Sequence, residues 1–230
     1  MITLAIDTST DSAGVALLND EEVLSETFLN VGLHHSLYLL PAISSIFTTT
    51  GMAPADADLF ACTIGPGSFT GLRVGASTIK GLALATGKPV VGISTLNVLA
   101  LNLADCRVDV CPMLDALNGK VYTALYRNRG TALPDRIVDE SLADVEDFLK
   151  GIGQETVFVG TGAQKYADRI TTLLPGKGRI ASNHHHHIRA ATVGFLGLKK
   201  FADGDFLDIR TFTPQYLQQS YAEKSGIGGL

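Results

Sequence analysis

Apolar positions open the chain in three short runs. Residues 2–7 (ITLAID), 13–18 (AGVALL) and 22–29 (EVLSETFL) each read as a strand, and the Ser/Thr/Asp and Asn-Asp segments between them are turn chemistry, so the three predict an antiparallel meander. From about 35 to 49 the period changes. Leu37, Leu40, Ile43 and Phe47 recur at three and four residues, which predicts a helix with one apolar face, stopped by Gly51. Pro41 either falls in its first turn or kinks it. Residues 58–64 form a strand ending in Gly65-Pro66-Gly67, and Ser68 caps a helix to about Thr86 that Gly87 closes. A strand over 89–93 and a helix capped by Ser94 or Thr95, reaching about 104, complete the unit.

The pattern then restarts. Residues 108–115 (VDVCPMLD) are a strand, Asn118-Gly119 signals a tight hairpin turn, and 120–126 (KVYTALY) return antiparallel. A polar stretch from Arg127 to Gly130 follows, then a helix-like segment over 142–149, a strand over 156–160 and a helix over 163–174. A helix from about 190 to 201 precedes a tail carrying Phe212, Tyr216 and Tyr221. Each unit opens on a strand that ends in an aspartate, Asp7 or Asp115, just before a polar turn. Two such units predict an α/β protein of two lobes with a duplicated actin-like or sugar-kinase-like (ribonuclease H-like) fold. The expected lobes are 1–105 and 106–230, with the extreme C-terminal tail free to pack back on the first.

Composition narrows the function classes. The net charge is −5 and no run of Lys or Arg occurs, which argues against a chain that grips nucleic acid by itself. Trp is absent, so the core is expected to rest on Ile, Leu, Val, Ala and Phe. Cys62, Cys106 and Cys111 form no CxxC pair and read as reduced, buried thiols of a cytosolic protein. With no signal-peptide pattern and no long apolar span, the protein is expected to be cytoplasmic, neither exported nor inserted in a membrane.

Few segments carry candidate chemistry. The turn Asp7-Thr8-Ser9 offers hydroxyls and backbone N–H groups that could cradle a phosphate, with Asp7 able to help hold a metal; these residues are also ordinary turn formers. The segment 65–83 (GPGSFTGLRVGASTIKGLA) matches neither GxxxxGK[ST] nor GxGxxG. Its Gly71 and Gly75 share a helix face at a cost of about 1 kcal/mol each against Ala. Such a face suits tight packing on the chain's own sheet, a close contact with another subunit, or both. His34-His35 lacks the spacing of a metalloprotease helix, and His184 to His187 read as a solvated loop that would bind nickel or zinc weakly in vitro. No nucleophile stands beside a base, and no catalytic or metal-ligating residue is assigned.

Five segments, AIDTST, HHSLYLLPAI, IGPGSFTGLRVGASTIKGLALATGKPVVGISTL, MLDALNGKVYTALY and PQYLQQSYAEK, occur in this order over most of the chain. Together they resemble the bacterial TsaB (YeaZ) family of tRNA threonylcarbamoyladenosine biosynthesis proteins. The resemblance implies a non-catalytic subunit required for threonylcarbamoylation of the adenosine next to the anticodon. It implies that the chain binds and activates the larger paralogue TsaD, which carries the active site and its metal, together with the small ATPase TsaE. It further implies a homodimer through the face that meets TsaD, contact with tRNA only through the complex, and no cofactor for this chain alone, ATP and the metal belonging to the partners. TsaD-type proteins place metal ligands in an HxxxH helix; here HHSLYLLPAI holds only adjacent histidines, so no ligand carries over.

On this resemblance the partner interface is assigned to Ser68, Gly71, Leu72, Val74, Gly75 and Thr78 of the helix after GPGSFTG, with Leu37 and Leu40 of the preceding helix. Asp7, Thr8 and Ser9 become a vestigial nucleotide loop. The rival reading is an independent small ATPase or kinase of the same superfamily, using Asp7 with Asp115 and the Asn118-Gly119 turn. A peptidase has no support in the residues. If Gly75 faces a partner, Gly75→Leu is expected to abolish association with TsaD in a pull-down and leave the fold intact.

Overall fold

The structure, a computed structural model, describes residues 1–30, 32, 34–129 and 133–214. Gly130, Tyr216, Tyr221 and most of PQYLQQSYAEK lie outside the described residues. The first sheet contains β1 (Ile2–Asp7), β2 (Ala13–Asn19), β3 (Glu22–Leu29), β4 (Leu59–Gly65) and β5 (Val90–Ser94), in the order β3-β2-β1-β4-β5. The second contains β6 (Asp109–Asp115), β7 (Lys120–Arg127), β8 (Asp135–Asp144), β9 (Thr156–Val159) and β10 (Gly178–Ile180), in the order β10-β9-β6-β7-β8. The two orders are one and the same with β6 in the place of β1. In both, the leading strand runs antiparallel to the second and parallel to the fourth. This is the duplicated actin-like architecture that the repeated pattern predicts.

Helices fill three layers. Helices α1 (His35–Thr50) and α2 (Phe69–Thr86) cover the outer face of the first sheet. Helices α3 (Thr95–Leu101) and α7 (Ala190–Ala202) lie between the sheets, and α4 (Val145–Lys150), α5 (Thr161–Lys165) and α6 (Ala167–Leu173) cover the outer face of the second. The central strands are therefore buried on both faces, and side-chain alternation sorts their residues between cores. On β1 and β4, Leu4, Ile6, Phe60 and Cys62 point to α1 and α2, whereas Ala5, Leu59 and Ala61 point to α3 and α7. In the second sheet Val110, Val157 and Val159 face inward while Cys111 and Phe158 face α4–α6. Cys62 and Cys111 are buried free thiols that burial pushes up to about 12, which removes them from nucleophilic chemistry. Among the described residues no helix is long and apolar enough to cross a membrane.

Several elements differ from the sequence expectation. The segment expected to turn helical at 142 is still strand: β8 runs from Asp135 to Asp144, and Asp144 then caps α4 through Glu146 and Asp147 N–H. The helix expected over 163–174 breaks at Tyr166 into α5 and α6. The hairpin after β6 has a three-residue loop, since Ala116 N–H donates to Lys120 O and Lys120 N–H to Leu117 O, with positive φ at Leu117, Asn118 and Gly119. The histidine run is not wholly solvated. His186 is buried; its Nδ1 accepts Gly160 N–H at 2.9 Å and its Nε2 lies 2.9 Å from Ala181 O.

The largest difference concerns α7. By sequence position it falls in the second lobe, yet it packs on β1, β2, β4 and β5 of the first sheet. The chain following it stays there: Leu207 N–H donates to Val90 O, and Phe212 joins the core beneath α2. The small residues on the buried side of α7 explain the close approach. A Cβ on Gly197 would stand 2.8 Å from Ala61 Cβ and 3.1 Å from Val91 Cγ2, atoms the sheet backbone holds in place. Glu26 of β3 receives the start of this helix, accepting Ala191 N–H at 3.1 Å and pairing with Arg189. Gly197→Val is expected to lower unfolding stability by about 2–3 kcal/mol through overpacking, read as a fall in the urea midpoint at unchanged m-value.

Candidate functional site

The turn after β1, the candidate phosphate cradle of the sequence, is closed. Asp7, Thr8 and Ser9 are 0%, 1% and 0% exposed. Asp7 Oδ1 accepts Ser9 N–H at 3.0 Å, Ser9 Oγ–H at 2.6 Å and Thr63 Oγ1–H at 2.7 Å. Thr8 Oγ1 donates to Gly71 O at 2.8 Å, and Ser68 N–H donates to Ser9 O at 2.7 Å. The Thr8 and Ser9 hydroxyls and the Ser9 N–H, donors that a phosphate could use, are thus spent on the chain itself. Asp7 Oδ2 has no hydrogen-bond partner, nor has either ring nitrogen of His35, which is 2% exposed. Burial pushes the Asp7 carboxyl above the usual carboxylate range, against the bonds from Ser9 and Thr63 and the nearby His35.

The lid on this turn is the glycine face of α2. A Cβ on Gly71 would lie 2.0 Å from Thr8 O and 3.1 Å from His35 Cδ2; one on Gly75 would lie 2.4 Å from Thr8 Oγ1. Gly71, Leu72 and Gly75 are all buried within this chain, with Leu72 1% exposed. Their assignment to a partner interface is therefore corrected: the glycines exist so that the helix can rest on the β1 turn, and Gly75→Leu would strike Thr8 and disrupt the fold before any partner is involved. Ser68 is half-buried and acts as the N-cap, its Oγ accepting Gly71 N–H at 3.2 Å. The vestigial nucleotide loop at Asp7, Thr8 and Ser9 likewise serves as the seat of α2 rather than as an open cradle.

The rest of the predicted face points outward. Leu37 and Leu40 on α1 are 64% and 59% exposed and, three residues apart on the helix, form a shared apolar patch on its outer surface. Leu40 lines a groove of about 470 Å³ between α1 and α2, together with Phe69, Arg73, Val74 and Thr78. The Arg73 guanidinium lies over the Phe69 ring at 3.8 Å. Val74 and Thr78 are half-buried in the groove wall, and Thr78 Oγ1 donates back to Val74 O at 2.9 Å, so its polarity is met within the helix. Tyr38 at 42% extends the exposed apolar surface of α1.

The second aspartate is occupied too. Asp115 Oδ2 pairs with Lys165 Nζ at 2.6 Å, and its Oδ1 accepts from Tyr166 OH and Leu117 N–H, both at 3.2 Å. Sequence reasoning missed the lysine because it lies on α5, distant along the chain. No group of three or more metal-type ligands occurs among the described residues.

Comparison with known proteins now adds to this geometry. The family described as TsaD, tRNA N6-adenosine threonylcarbamoyltransferase, matches residues 23–225. A Bacillus subtilis protein named tRNA threonylcarbamoyladenosine biosynthesis protein TsaB is 33% identical over 229 residues, covering 99% of this chain and 98% of that one. An Escherichia coli protein of the same name is 31% identical over 227 residues, 96% of each chain. The solved structure of YeaZ from Pseudomonas aeruginosa superimposes with a TM-score of 0.79 at 25% identity, covering 94% of this chain and 100% of that one.

The sealed turn makes a test of its own. Because the folded state disfavours ionised Asp7, its contribution to stability falls as pH rises through the carboxyl's raised titration range. Asp7→Asn keeps the Oδ1 acceptor and removes the buried charge. The variant is expected to unfold at a higher urea concentration than wild type at pH 7, with the gap closing as pH falls toward the range where the unfolded carboxyl protonates.

Proposed function

Because this chain belongs to the TsaB family, and with it to the biosynthesis of tRNA threonylcarbamoyladenosine, we propose that it serves there as a non-catalytic subunit that binds and activates TsaD, together with TsaE. The observation that carries this reading is the pairing of a closed turn with an open face. Asp7 is taken up by Ser9 and by Thr63 of β4, Thr8 is taken up by Gly71 of α2, and Asp115 is neutralised by Lys165, which speaks against an independent ATPase or kinase. The outer surfaces of α1 and α2 meanwhile hold leucines in water. Fully burying one such side chain is worth about 1.5–3 kcal/mol, and monomers seldom leave apolar surface of this kind without a partner.

The interface is accordingly centred on Leu37, Leu40, Val74 and Thr78, with Ser68 at the head of α2 near its edge. The same face supports self-association when TsaD is absent, so homodimer and TsaD heterodimer would exclude each other. With a net charge of −5 the chain would meet tRNA only through the complex, in the cytoplasm, and ATP and metal would enter with TsaD and TsaE.

Leu37→Asp combined with Leu40→Asp tests this. Both side chains are already largely in water, so the melting temperature should change little. Affinity for TsaD, measured by calorimetry with purified proteins, should fall at least about 100-fold, as expected for losing two central anchors. Undiminished affinity in a folded double variant would remove this face from the proposal.

A further inference from the structure

Two-lobed proteins are expected to flex between lobes unless the contact is large and apolar or otherwise fastened. In this chain both conditions hold. One continuous core joins Val91 and Ile93 of the first sheet, Leu96 and Leu99 of α3, Val193 of α7, and Val110, Ala124 and Val159 of the second sheet. Helix α3 follows directly from β5, so its N-terminal end belongs to the first sheet. That end is bonded to the second sheet. Ser94 Oγ, while capping α3 through Leu96 and Asn97 N–H, donates to Glu140 Oε1 of β8 at 2.5 Å. Arg136 holds the same carboxylate oxygen at 3.1 Å. One turn further along α3, Asn97 Oδ1 accepts from the hydroxyl of Tyr126 on β7, a residue 2% exposed.

The other end of α3 is tied as well. Asn102 Nδ2 donates to His187 O at 2.9 Å and His185 O at 3.2 Å, and Thr192 of α7 lies within bonding distance of Asn102 Oδ1. The histidine segment is in turn pinned to the second sheet by His186 through Gly160 N–H. Asn128, just after β7, donates to Leu103 O and Cys106 O where the chain leaves α3.

We propose that α3 is a locked strut: the Ser94–Glu140 and Asn97–Tyr126 bonds at one end and the Asn102 node at the other hold the two lobes at a single angle, so that the chain acts as one rigid body with no opening-and-closing cycle. Opening the lobes would require breaking a bond to a carboxylate whose side chain is only 13% exposed and another from a buried phenol, while parting a shared apolar core. The proposal goes beyond partner binding and does not depend on which protein occupies the α1–α2 face.

Pulsed electron resonance between spin labels on Ala85→Cys of α2 and Thr172→Cys of α6, both exposed, reads the lobe angle. Cys106→Ser removes the half-buried native thiol; Cys62 and Cys111 are buried. The otherwise wild-type protein should give one narrow distance, unchanged by saturating magnesium-ATP. Adding Asn97→Ala and Glu140→Ala should broaden it roughly twofold as open states become populated. Two distances in the protein with an intact lock, or a shift on adding nucleotide, would overturn the proposal. So would an equally narrow distribution in a lock variant shown by circular dichroism to be folded. Should that variant not fold, the distribution of the protein with the lock intact decides the matter alone.

Discussion

One steric fact underlies the arrangement of the first lobe: at Gly71 the backbone of α2 approaches the carbonyl of Thr8 so closely that no side chain fits between them. The contact sets the depth at which α2 sits on the sheet. It also supplies one acceptor and one donor to the β1 turn, because the helix offers Gly71 O to the Thr8 hydroxyl and the residue before it donates Ser68 N–H to Ser9 O. Buried polar groups need partners, and here a helix takes the role that a bound anion would otherwise fill. His35, packed against Gly71, brings the start of α1 to the same point. The groove between α1 and α2 is therefore a by-product of sealing the turn.

The duplication makes the divergence of the two halves visible. The sheets share one strand order, and each leading strand ends in an aspartate. Asp7 is wholly buried beneath a helix, while Asp115 stays partly in water and is balanced by Lys165. A pair of equivalent carboxylates facing one ligand would need similar access; these two have opposite environments. Inside the molecule, α3 and α7 occupy the space between the sheets with apolar side chains.

Much of this was legible in the sequence, and the failures have physical causes. The two-sided burial of β1, β4 and β5 shows as continuous apolar runs, and the restart at residue 108 reveals the duplication. Helical spacing reads the glycines of α2 as a close-contact face but leaves open whether the chain's own sheet or another subunit lies opposite; the family resemblance points to a partner, and the structure packs Gly71 and Gly75 on the chain's own β1 turn. The period places Leu37 and Leu40 on one apolar face with Ile43 and Phe47; the structure splits that face, turning Ile43 and Phe47 inward with Leu39 and leaving Leu37 and Leu40 outward. Strand β8 was missed because Asp135, Arg136, Asp139 and Glu140 interrupt it, as is usual for an edge strand. The placement of α7 could have been suspected from Gly194 and Gly197 beside Ala190, a narrow small-residue face like that of α2. His186 gave no signal, since four identical neighbours hide the one whose ring is used.

The position of α7 has a consequence for how the molecule is made. The inner face of the first sheet, laid down within the first hundred or so residues, is covered by α3 over β4 and β5, but over β1 and β2 its cover is α7, residues 190–202, made about a hundred residues later. A nascent N-terminal half therefore cannot finish as an independent unit, and part of its apolar underside must wait, exposed to chaperones or to misassembly, until α7 has been made.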